Sequence, residues 1–224
     1  RARLPAVLDY AFRPMFLAAG SWALIALALW LAMFFGYVQL PTRFDPLTWH
    51  VHEMLFGFVM AAVGGFLLTA IPNWTGRLPV RGYPLAALAC LWLLGRLACL
   101  ISADLPAWLA VLADLAFPIA LLAVAAREIV VGRNWRNLPM TAPLILFIVA
   151  DLLMHLESLG LPVPVGLGWR LAVGAPIVLI SVIGGRIIPS FTRNWLTKRK
   201  SPRLPSPQDM LDKAAVALLA AALI

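Results

Sequence analysis

Six apolar runs, each near the length a helix needs to cross a bilayer, decide what this chain can fold into. They fall at 15–38, 47–71, 84–101, 106–126, 140–156 and 169–189, and a seventh opens near Met210 and continues to Ile224. A hydrocarbon core of about 30 Å takes about 20 residues of helix, and a helix satisfies its backbone polar groups within the segment. With 62% hydrophobic and only 12% charged residues, and a mean hydropathy of +0.91, a soluble domain is excluded. The expected fold is all-α: a polytopic transmembrane bundle read as one domain over 1–224, with six complete spans and a truncated seventh. The chain opens at Arg1 without a methionine and stops inside an apolar run, which reads as a piece of a longer protein. The first run carries no cleavage site, so it reads as a span and not as an export signal.

Punctuation at the run ends follows helix chemistry. Asp45-Pro46 offers an N-cap and a first-turn proline, Asp104-Leu105-Pro106 does much the same, and Pro72 and Pro189 are expected to close the second and sixth runs. Pro118 and Pro176 lie inside the fourth and sixth runs and predict kinks there. The charges then sort by side. With the N-terminus in the cytoplasm, only Arg43, Arg96 and Arg170 of the 18 Lys and Arg fall on or near the outer side. The other fifteen, from Arg1 and Arg3 through Arg186 to Lys213, fall on the inner side, as the positive-inside rule requires. The net charge of +8 therefore reports orientation and contact with anionic lipid, and a nucleic-acid partner loses its main support.

The same orientation gathers the chemistry. His50 and His52 open the second run in PLTWHVHEMLFGF, and His155 ends the fifth at the same outer face, in company with Glu53, Arg96, Asp104, Asp114, Asp151, Glu157 and Arg170. Ionisable groups are costly at membrane depth and should face the bundle interior. His50 and His52 are two apart, about 200° around a regular helix, so one helix cannot aim both at a single metal. His50 should share a face with Glu53 and Met54, and His52 should lie along Leu55 and Phe56. Asp151 and His155 are four apart, the spacing at which a carboxylate can fix an imidazole tautomer for metal ligation. Haem iron and copper both accept imidazole; Met54, Met154 and Cys99 are soft groups at similar depth that suit Cu(I), and Arg96 or Arg170 could pair with haem propionates. Asp114 and Asp151, with Glu53, are candidates for proton handling. The plainer readings are interfacial histidines that only finish helix ends, methionines that fill space, and Cys90 and Cys99 as two buried packing residues, nine apart on opposite faces of one helix.

The strings WHVHEMLFGF, GGFLLTAIPNWTGRLPVRGYPLAALACLWLLGR, FRPMFLAAG and GGRIIPSFTRNWL together resemble the NnrS family of polytopic bacterial inner-membrane proteins. The resemblance covers most of the chain and is strongest from Trp49 to Arg96. It implies a role in the nitric oxide response, haem or copper as cofactors, nitric oxide as ligand, and His50, His52 and His155 as ligands or their immediate support. Family members run to roughly twice this length, so the chain corresponds to their N-terminal half. The leading expectation is a metalloprotein with a periplasm-side site formed mainly by the second and fifth helices, which protects against nitrosative stress by binding NO or transferring electrons. The alternative is a transporter or permease without metal, whose kinked fourth and sixth helices move around a polar outer cavity. A regulatory or assembly subunit that only holds a partner in the membrane is the third.

Overall fold

The computed structural model describes residues 5–205 and 210–222. Arg1, Arg3 and residues 223–224 of the expected seventh helix lie outside the described residues, as do the side chains of Arg186 and Lys213. Among the described residues the regular structure is helical, and six helices are long and apolar enough to cross a membrane: α1 Phe12–Phe34, α2 Pro46–Thr75, α3 Tyr83–Leu100, α4 Ala107–Val131, α5 Trp135–Ser158 and α6 Leu167–Lys198. A seventh, α7 Met210–Ala222, follows. The six expected complete spans are present, with differing ends.

The differences have local causes. α2 does not end at Pro72 but continues to Thr75 and stops at Gly76, which takes φ +69°, a left-handed terminus that suits glycine. α6 likewise runs through Pro176 and Pro189 to Lys198. A proline removes one backbone bond, and a packed membrane helix tolerates that loss. At the start of α2, Asp45 caps as expected, its Oδ1 accepting from Leu47 N at 3.0 Å and Thr48 N at 3.1 Å. Asp104 does not cap α4: the residue before the first turn is Pro106, without a side-chain bond.

α2 is the axis of the bundle. In its most apolar stretch 61% of residues are buried, against 22–44% in the other spans, so it is apolar all round, as a central helix must be. It contacts α1, α3, α4 and α6, while α3 pairs with α4 and α5 with α6. α1 reaches it closely because Met15, Ala19, Trp22 and Ala26 form one buried seam facing small residues of α2. A Cβ added at Gly65 would lie 3.0 Å from the Met15 Cβ, and one at Gly57 would lie 2.4 Å from the Trp22 indole. Small residues at such crossings let backbones approach without a hydrophobic driving force. On the outward faces Leu17, Leu24, Leu94, Leu112 and Ile180 are exposed, as lipid-facing positions should be.

α2 also changes character along its length. Pro46–His52 is α-helical, Glu53–Val59 is π-helical, and Met60–Thr75 is α-helical again. A π turn inserts an extra residue, which rotates everything beyond it by about 100° per insertion. This segment begins at Glu53, at the head of the polar cluster.

Candidate metal centre

The connections at one end of the bundle are tied together and cover it. Ala103 N donates to Pro41 O at 2.9 Å, Arg43 N to Ser102 Oγ at 2.9 Å, and Arg43 Nη2 to Leu105 O at 2.6 Å. These bonds hold Phe44, itself buried, with its ring stacked on His52 at 4.8 Å and 5.3 Å from the ring of His155. Beneath this cover four helices meet. α2 supplies His52 and Glu53, α3 Arg96 and Cys99, α4 Asp114, and α5 Asp151 and His155. At 1.5 Å per residue they sit within about 10 Å of the helix ends on this side of the bundle, Cys99 nearest its end.

Asp114 is the hub. Its Oδ2 lies 3.1 Å from His52 Nε2, 3.0 Å from His155 Nε2 and 3.0 Å from Cys99 Sγ, which donates to it. Its Oδ1 accepts from Arg96 Nη2. Gly95 lets this happen: a Cβ there would lie 2.9 Å from Asp114 Oδ1 and 3.1 Å from its Cα, so any other residue would push α4 off α3. Asp151 Oδ1 lies 3.0 Å from His52 Nε2 and 3.7 Å from His155 Nε2. Two imidazole nitrogens and two carboxylate oxygens therefore converge from three helices. Glu53 closes the other flank, with Oε1 3.2 Å from His52 Nδ1 and Oε2 accepting from Arg96 Nη1 at 2.9 Å and Trp22 Nε1 at 2.7 Å. The indole reaches Glu53 because it passes over Gly57. One donor atom each from His52, Cys99, Asp114 and His155 all lie within 4.8 Å of one another.

Several expectations are corrected by this geometry. Glu53 stands beside His52 and Arg96, and it meets Trp22 of α1 while His50 meets Trp30 of the same helix, so both are turned toward α1. His50 is turned away from the cluster and stacks on Trp30 at 4.2 Å, with its Nδ1 unpartnered. His52 does lie against Phe56, at 4.9 Å. The Asp151–His155 pair is looser than its spacing suggested, because each side chain makes its shorter contact across to another helix. Arg96 is not a surface partner for propionates: it is buried between Glu53 and Asp114. Arg170 is exposed and lies over the Trp169 ring. Met54 is half-buried in the apolar packing, and Met154 faces α6, where a Cβ on Gly168 would meet its Cγ at 2.6 Å. Cys99 is buried but Cys90 is exposed. The cluster draws on α3 and α4 as much as on α2 and α5. It is a closed polar knot and not the lining of an open cavity.

Its extra members left a signal in the sequence. On α3 the buried seam runs Leu85, Leu88, Trp92, Arg96 and Cys99, and on α4 Ala110, Asp114, Phe117, Leu121 and Ala125. Arg96 and Asp114 occupy core positions of a 3.6-residue period.

Fold and site together define a multi-pass helical membrane protein whose core carries a buried cluster of two histidines, three carboxylates, an arginine and a cysteine. The chain belongs to the NnrS protein family, whose family model matches residues 6–224. No curated protein and no solved structure matches it significantly.

Proposed function

We propose that the chain is a membrane metalloprotein of the nitric oxide response, which holds a metal ion at the buried cluster and meets NO there, by binding it or by passing electrons. One observation carries this reading: donor atoms of His52, Cys99, Asp114 and His155 converge within 4.8 Å in a closed, apolar surround. Three carboxylates, Glu53, Asp114 and Asp151, face one guanidinium, Arg96. With neutral imidazoles two negative charges are left over, and uncompensated buried charge costs several kcal/mol. Protons on the imidazoles, or a metal cation that displaces them, would compensate this charge.

Copper fits the donors, since imidazole and carboxylate both bind it. A porphyrin does not fit among these residues. Both Nε2 atoms rest on carboxylates, the two imidazole rings are 5.4 Å apart edge to face, and Phe44 and Phe56 close against them. When bound, the ion supplies a redox-capable Lewis acid at which a diatomic ligand can bind. The chain's own residues do the rest. Glu53 accepts from His52 Nδ1 and so presents Nε2 to the centre. Arg96 and Trp22 hold Glu53, and Phe44 and Phe56 keep water out. NO is small and apolar enough to arrive through the lipid.

The distribution of basic residues supports the bacterial inner membrane, with the N-terminus cytoplasmic and the cluster near the periplasmic face. Spectra of the purified protein in detergent, recorded with and without NO, test the reading. A metal-centred band or electron-resonance signal that changes with NO, and is lost in His52→Ala, is expected. A metal signal indifferent to NO would remove the nitric oxide role.

A further inference from the structure

We infer that the cluster takes a single divalent first-row ion through hard donors, His52 Nε2, His155 Nε2 and the carboxylates of Asp114 and Asp151, and discriminates against haem and against Cu(I). This rests on the metal reading above and specifies its ion. With both imidazoles neutral, as ligation through Nε2 requires, the three carboxylates and Arg96 leave two negative charges, which a divalent cation matches and a monovalent one leaves half uncompensated. Asp151 supplies an observation independent of the hydrogen-bonded network: its carboxylate is fully buried, and its Oδ2 has no hydrogen-bond partner. A carboxylate oxygen left bare in an apolar core costs free energy unless something positive or protic meets it. The soft donors are spoken for elsewhere. Cys99 is a thiol that donates to Asp114, and Met154 packs against α6. Cu(I) selects thiolate and thioether, whereas imidazole with carboxylate suits Fe(II), Zn(II) and Cu(II). Two imidazoles with a carboxylate is also the donor set of non-haem iron sites. Haem is excluded on shape, because the aromatic rings close directly on the two imidazoles.

The test is a titration of the purified protein, produced in a haem-deficient host, stripped with a chelator in detergent, and offered Co(II) as a visible probe and Zn(II) as its competitor. One Co(II) per chain is expected, with ligand-field bands, no intense sulfur-to-cobalt charge-transfer band, and displacement by Zn(II). His52→Ala and His155→Ala should each weaken Co(II) binding at least tenfold, a loss comparable with or larger than that known for supporting residues, while Met54→Leu leaves it unchanged. Cu(I) offered from a bathocuproine buffer should stay with the chelator. Failure of wild-type protein to bind any divalent ion overturns the inference whatever the variants do, as does Cu(I) held in preference, a strong sulfur band, or tenfold loss in Met54→Leu. Divalent binding as expected, in a protein whose metal ignores NO, supports this inference and sinks the nitric oxide reading alone.

Discussion

At the scale of single residues, the site consists of charges placed where apolar side chains surround them. Arg96 compensates Glu53 and Asp114 at once, and removing one partner of a buried ion pair costs about 3–5 kcal/mol. Arg96→Met should therefore lower thermal stability by that order, measured by unfolding in detergent with the metal removed. Glu53 acts through another residue. Glu53→Gln keeps a carbonyl oxygen to accept from His52 Nδ1 but loses the charge, so metal affinity should fall by about 10–100-fold while helix content is unchanged. An unchanged affinity would make Glu53 a packing residue. Asp45 lies outside the spans. Partial burial pushes its carboxyl up, but the bonds from Thr48 and Leu47 outweigh this and hold it below the usual carboxylate range. A lowered value in the folded state means that the ionised form stabilises α2 above the unfolded value, and that this contribution is lost as pH falls through the folded one. Asp45→Asn keeps the cap and should flatten that acid-side dependence in a pH series of melting temperatures.

At the scale of elements, the central helix carries the site because it is interrupted. The π segment Glu53–Val59 begins at the first carboxylate of the cluster, and its Gly57 gives the Trp22 indole its passage. Trp92 Nε1 donates to Gly57 O at 2.9 Å, which secures the segment from α3. Overpacking there should cost about 1–3 kcal/mol. Gly57→Ala is thus expected to destabilise the bundle and to release Trp22 from Glu53, read as a shift in tryptophan fluorescence; an unperturbed spectrum would contradict the packing described here. This element also marks where the sequence stopped being legible. Nothing local in HEMLFGF announces an i to i+5 turn, and the partners that meet it at Gly57, Trp22 and Trp92, come from two other helices. Pro72 and Pro189 misled because a proline removes one backbone bond without ending a helix whose other bonds continue past it. Asp45 was legible, because capping is decided within four residues.

At the scale of the molecule, six spans could be read from apolar length alone, since the bilayer thickness and the backbone's hydrogen-bonding needs leave little choice. Which helices meet could not be read in that way. The cluster is a four-helix convergence in which contacts such as His52 to Asp151 and His155 to Asp114 join residues 99 and 41 apart in sequence. The alternation of spans puts the connections 35–45, 101–106 and 159–166 on one side, together with the cluster. In a Cys90→Ser background, single cysteines introduced there should react with an impermeant maleimide from the periplasm, and those at 76–82 only after the membrane is opened. The reverse pattern would invert the assigned topology. The polar knot is proposed to hold a metal. Its most direct test is elemental analysis of the purified protein beside His52→Ala and His155→Ala. About one metal ion per chain in the wild type, lost from both variants while they remain folded, is the predicted result. Wild-type protein without stoichiometric metal, or variants that keep it, would contradict the claim.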